Sequence, residues 1–232
     1  MPILSTRETF DRHIQELLDE VLLLGYMVEH AVRKGVESLK ERNFTASRDV
    51  LRDDLEINEK RYSIEHDVLT LIATQQPMAR DLRLLAAVLE IITELERIGD
   101  YAKGIARINI LLGDRPLAKP LIDIPKMADL GLDMLHRSLI AFVARDAETA
   151  RLIPNEDDMV DKLYNAVHKE LLDIMIAQPS VIDQANYLIW AAHNLERLAD
   201  RVTNICERIV FVVTGEMMEF DQSDDEHTKT YD

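Results

Sequence analysis

The segment Glu-Arg-x-x-Asp occurs twice in this chain, one hundred positions apart: Glu96-Arg97-Ile98-Gly99-Asp100 and Glu196-Arg197-Leu198-Ala199-Asp200. What precedes each copy repeats with it. Two long amphipathic stretches lead to a Gln-Pro pair (Gln76-Pro77, then Gln178-Pro179), and a third long stretch carries the motif. A repeat of this length is too long for a solenoid unit. It predicts an all-α fold of two pseudo-symmetric three-helix bundles, whose long helices run antiparallel because short breaks join them. With only seven Gly and seven Pro in 232 residues, the chain also lacks the turn chemistry of a β-fold.

Leu17, Val21, Leu24, Val28, Val32 and Val36 recur at spacings of three and four, the signature of a buried helical stripe. Such patterns predict helices over 6–41, 46–74, 78–112, 126–144, 147–177 and 181–213. Asn43 is the expected break after the first. The second stops before Gln76-Pro77, because the residue before proline avoids the helical region, and Gly113 suits the cap of the third. The only Pro-rich stretch holds Pro116, Pro120 and Pro125. The expected organisation is therefore a first bundle over 1–114, a linker over 115–125, a second bundle over 126–216, and a disordered acidic tail over 217–232.

The net charge is −16, and residues 221–232 carry −4 of it, leaving −12 on the body. An acidic body argues against nucleic acid and against anionic membrane surfaces as partners. Cys206 is the single cysteine, so no intramolecular disulfide forms, and its place in an apolar pattern marks a core thiol. No apolar run approaches the ~18 residues of a membrane span, and the N-terminus lacks a signal-peptide layout. A cytoplasmic location without membrane insertion is expected. Phosphate-loop, dinucleotide, zinc-protease and Cys-x-x-Cys motifs are absent.

Glu and Asp four residues apart share one side of a helix, with Cβ atoms about 5–6 Å apart, and repel unless a cation satisfies both. The helices ahead carry matching groups: Asp157 and Asp161 in the second half, Asp54 and Asn58 in the first. If the two faces meet, four or more oxygens converge, which suits a hard or borderline cation. On a helical projection Leu188, Ala191, Leu195, Leu198, Val202 and Ile209 cluster in one direction. Glu196 and Asp200 lie at the rim, with Glu207 continuing an acidic stripe. Arg107 stands where the first copy would match Glu207, and Gly104 where it would match Asn204, so the second site is expected to be the richer. Arg97 with Asp100 and Arg197 with Asp200 also satisfy i, i+3 ion pairing, so an ion-paired surface face is the alternative reading. A buried di-iron oxidase is disfavoured, since no Glu-x-x-His occurs; Asp133-Met134-Leu135-His136 comes nearest, with His136 read as a surface residue. Arg80 and Arg83 suit either an anion or partner contact or a solvated helix start. Trp190 and Met175 read as core or interface.

The two Glu-Arg-[Ile/Leu]-x-Asp segments, Gln76-Pro77-x-x-x-Asp81-Leu82-Arg83, Asp157-x-x-Val160-Asp161-x-x-Tyr164 and the segment 204–216 together resemble the PhoU family of phosphate-specific transport system accessory proteins. The resemblance covers about 6–216. It implies two three-helix bundles that bind divalent or trivalent metal ions, multinuclear iron or else zinc, nickel or magnesium. The implied ligands are Glu96, Asp100, Asp54 and Asn58 in the first half and Glu196, Asp200, Asp157, Asp161 in the second. It implies a non-enzymatic, negatively acting regulator of high-affinity phosphate uptake and phosphate-responsive two-component signalling. Its implied partners are the phosphate ABC transporter ATPase and the phosphate-sensing histidine kinase. Gly104, Arg107 and Glu90 depart from the family pattern, and the second Gln-Pro lacks a following Asp-Leu-Arg. A homodimer is expected. The competing readings are a carboxylate-bridged di-metal helical-bundle enzyme or metal store, and a purely structural helical protein.

Overall fold

The computed structural model describes residues 6–220. It contains α1 (Thr6–Glu41), α2 (Phe44–Gln75), α3 (Arg80–Leu112), α4 (Asp123–Ala144), α5 (Ala147–Leu152), α6 (Asp157–Ala177) and α7 (Ile182–Thr214). Among the described residues there are no strands. Helices α1, α2 and α3 form one antiparallel bundle, and α4, α5 with α6, and α7 form the second. The bundles join along α3 and α7 and, more briefly, α1 and α4.

Local chemistry sets most boundaries. Asn43 caps α2, its side-chain oxygen accepting from the Ala46 amide at 3.0 Å, which supplies a partner to a free first-turn donor. Asp146 caps α5 by accepting from the amides of Glu148 and Thr149. Gln76, in the left-handed region at φ 47°, ends α2.

Three expectations are corrected. Helix α4 begins at Asp123 rather than 126 and takes Pro125 into its first turn, where a missing amide hydrogen leaves no bond unmade. The helix expected over 147–177 is interrupted by a 3-10 turn, Ile153–Glu156, at Pro154; a proline cannot donate to the preceding turn. Residues 217–220, expected within a disordered tail, return to the protein, where Met218 and Phe220 pack against the core. Residues 221–232 of that tail lie outside the described residues.

The buried stripe read from α1 is fully formed: Val21, Leu24, Val28 and Val32 are inaccessible to solvent. Cys206 is equally buried, and burial pushes its thiol up to about 12. Among the described residues no helix is long and apolar enough to cross a membrane.

Candidate metal centres

In the first bundle α2 and α3 do bring their acids together. Asp54 is 4 % exposed. Its Oδ2 accepts from Lys103 Nζ at 2.6 Å and from Asn58 Nδ2 at 3.3 Å. The same ammonium reaches Asp100 Oδ1 at 3.5 Å, and the bond to Asp54 holds its pKa above the ordinary lysine value. Glu96 is half-buried. Burial, reinforced by Asp100, raises its carboxyl pKa, while nearby Arg61 opposes the rise. Three carboxylates therefore share their cluster with two cations. Lys103 and Arg61 were missed at the level of sequence. The signal was present: Lys103 stands three residues after Asp100, and Arg61 three after Asn58, so each falls on the acid face of its helix.

The second bundle repeats the frame with different occupants. The offset relating Asp54 to Asp157 and Asn58 to Asp161 puts Tyr164 where the first bundle has Arg61. The offset relating Glu96 to Glu196 puts Thr203 where it has Lys103. Tyr164 lies where α6 meets α7. Its ring lies 5.9 Å from that of His193, and burial and then the Glu196 charge raise its pKa. His193 Nδ1 sits 3.0 Å from Glu196 Oε2. Burial and then Arg197 lower the His193 pKa, which disfavours a charged ring beside Glu196. Thr203 is 6 % exposed, and its hydroxyl is buried without a hydrogen-bond partner.

Asp157, Asp161 and Glu196 are half-buried, as is Asp200, and each has an interaction partner. Among the described residues, no three His, Cys, Asp or Glu side chains converge as ligands around a common point. Carboxylate oxygens, with the Thr203 hydroxyl one helical turn past Asp200, are the donor types that a hard cation takes. The second cluster fits a metal in its chemistry. The first fits less well, because an ammonium and an amide already engage one oxygen of its buried carboxylate.

Glu207, placed by its spacing on the acidic stripe of α7, meets the segment that follows the helix. It is 8 % exposed; its Oε1 accepts from the Phe220 amide at 2.9 Å and its Oε2 lies 3.6 Å from Arg208. Gly215, at φ 81°, ends α7 and lets the following residues turn back. This carboxylate clasps the returning segment, a contact invisible to a helical projection.

A polar seam joins the bundles. Glu94 of α3 accepts from Arg201 at 3.3 Å and from Asn204 at 3.4 Å on α7. Arg208 pairs with Glu90 at 3.0 Å, and Arg197 lies 4.8 Å from the Tyr101 ring centre. The partners step in opposite directions, so α3 and α7 are antiparallel. Asn204 is thus committed to the seam. Trp190 is 51 % exposed and meets Tyr187 edge-on, outside the core. His136 is a surface residue 3.3 Å from Glu29. Arg80 is exposed, whereas Arg83 is partly buried beside Gly215.

The PhoU domain family model matches the chain over residues 21–108 and 124–209, once in each bundle. A "Phosphate-specific transport system accessory protein PhoU homolog" of Clostridium acetobutylicum is 33 % identical over 215 residues, covering 92 % of this chain and 98 % of that protein. One from Caulobacter vibrioides is 34 % identical, covering 91 % and 92 %. The crystal structure of the phosphate transport system regulatory protein PhoU from Streptococcus pneumoniae superposes with a TM-score of 0.85. It is 31 % identical and covers 90 % of this chain and 99 % of that one. PhoU from Pseudomonas aeruginosa gives the same TM-score at 29 % identity.

Proposed function

The chain belongs to the PhoU family, and from that membership we propose that it is a regulatory accessory protein of a phosphate transport system. The observation that carries the reading is coverage: relatives so named align over nearly the full length of both chains. At finer grain, the protein restrains high-affinity phosphate uptake and phosphate-responsive two-component signalling. It does so as a non-enzymatic adaptor contacting the transporter ATPase and the sensor histidine kinase, and as a homodimer. Two joined helical bundles with long solvent-facing helices offer separate faces for such contacts.

The metal part of the reading belongs to the second bundle. Asp157, Asp161, Glu196 and Asp200 would hold the ion, with Thr203 adjacent. A bound divalent or trivalent cation would supply positive charge that offsets their mutual repulsion and ties α6 to α7. Tyr164 and His193 flank Glu196.

Two measurements test the proposal. Pulldown of the transporter ATPase and of the sensor kinase should recover at least one of them, with phosphate or metal changing the yield; no recovery under any of these conditions would defeat the adaptor reading. Elemental analysis should find metal in the purified protein and lose it in Glu196→Gln/Asp200→Asn. Unchanged metal content in that variant would move the site elsewhere.

A further inference from the structure

We infer that Lys103 is the resident cation of the first acid cluster, its ammonium filling the place that a divalent cation would otherwise take. The first half of the chain then carries its counter-charge covalently.

The inference starts from burial. Asp54 is the most deeply buried acid of the two clusters, its side chain 5 % exposed, whereas its counterpart Asp157 is half-buried. A carboxylate removed from water needs a counter-charge at all times, not only when a metal is available. Lys103 answers that need from the next helix. It binds Asp54 at 2.6 Å and spans to Asp100 at 3.5 Å, so one ammonium bridges α2 and α3 as a metal would. Asn58 donates to the same Asp54 oxygen, which places an amide hydrogen, not a lone pair, toward the would-be centre. Arg61 adds a second positive charge beside Glu96.

A divalent ion entering here would have to displace one cation and sit next to another. In the second bundle both cations are replaced by neutral hydroxyl groups, Tyr164 and Thr203, and Asn58 by Asp161. Three substitutions at matched positions therefore point the same way. Each gives the first cluster more positive charge, or less negative charge, than the matched position in the second.

This rests on the reading of the acid clusters as metal sites, so the test is made where the second cluster has been disabled. In the Glu196→Gln/Asp200→Asn background the full-length protein is dialysed against Mn(II) or Zn(II), and bound metal is counted. With Lys103 present, metal at well below one equivalent is expected. Lys103→Thr, copying the second bundle, should raise it to about one equivalent per chain, the occupancy of a restored carboxylate site. No gain in a folded Lys103→Thr protein overturns the inference. Asn58→Asp, which adds a carboxylate but keeps Lys103, decides the matter even if the first variant is unfolded. It should acquire no metal, and a gain of about one equivalent there would show that the ammonium does not hold the place. Failure of the preceding metal reading shows separately, as an unmodified protein whose metal content does not depend on Glu196 and Asp200.

Discussion

Asp54 and Asp146 are both aspartates that accept hydrogen bonds, yet the fold uses them in opposite ways. Asp54 is buried and takes a lysine; Asp146 sits at a helix start and takes amides and a hydroxyl. The Thr149 hydroxyl, and then the Thr149 and Glu148 amides, hold the Asp146 carboxyl below its ordinary range. A carboxyl depressed in the fold stabilises above its unfolded pKa of about 3.9, and that contribution fades as acid titrates it through the lower folded value. Asp146→Ala should therefore lower the urea midpoint at pH 7. The gap from the parent should narrow between pH 7 and an acid pH below the lowered folded value, where the parent's cap is protonated as well. Urea titrations at the two pH values check this, and a gap that persists in acid would mean that the cap works without its charge.

Helices meet most closely where one of them has no side chain. A Cβ built on Gly35 of α1 lies 3.0 Å from the Ala102 carbonyl oxygen of α3. That oxygen belongs to the backbone and cannot swing aside, so the helices themselves must separate. Gly35→Ala should cost about 1–3 kcal/mol through overpacking, more than the roughly 1 kcal/mol that alanine returns in helix propensity. At Gly25 the obstacle is the tip of the Leu139 side chain on α4, which can change rotamer. Gly25→Ala should then change stability by less than about 1 kcal/mol. Equilibrium unfolding of the pair tests the distinction, and equal costs would refute it. The same scale explains the break between α5 and α6. Pro154 forces a 3-10 turn there, although the apolar periodicity on either side continues.

Across the whole molecule, the α3–α7 seam couples the halves. Glu94, with its side chain 12 % exposed, receives Arg97, Arg201 and Asn204. Removing it leaves the Arg201 guanidinium, 22 % exposed, without its carboxylate. A double-mutant cycle of Glu94→Ala and Arg201→Met should give a coupling of about 0.5–2 kcal/mol, as for contacting residues in one network. Additive effects would show that the seam holds by packing alone. The clasp of Glu207 on the Phe220 amide joins the returning segment to the helix of the second bundle that packs on α3.

The sequence alone determined the all-α class, the number of long helices, the repeat and the i, i+4 acid pairs. These follow from local rules: apolar spacing of three and four, the caps at Asn43 and Gly113, and the Gln-Pro stops, each readable within a few residues. The identity of the acid pairs was legible for the same reason, since i, i+4 spacing on a helix is a local fact. What surrounds them was not. That Lys103 turns to Asp54, that Glu94 reaches across to Arg201, and that Glu207 holds Phe220 rather than a neighbouring acid are all contacts between segments distant along the chain. Only the packing of α2 on α3, of α3 on α7, and of the returning segment on α7 decided them, because which charge neutralises a buried carboxylate depends on what is brought within hydrogen-bond reach of it.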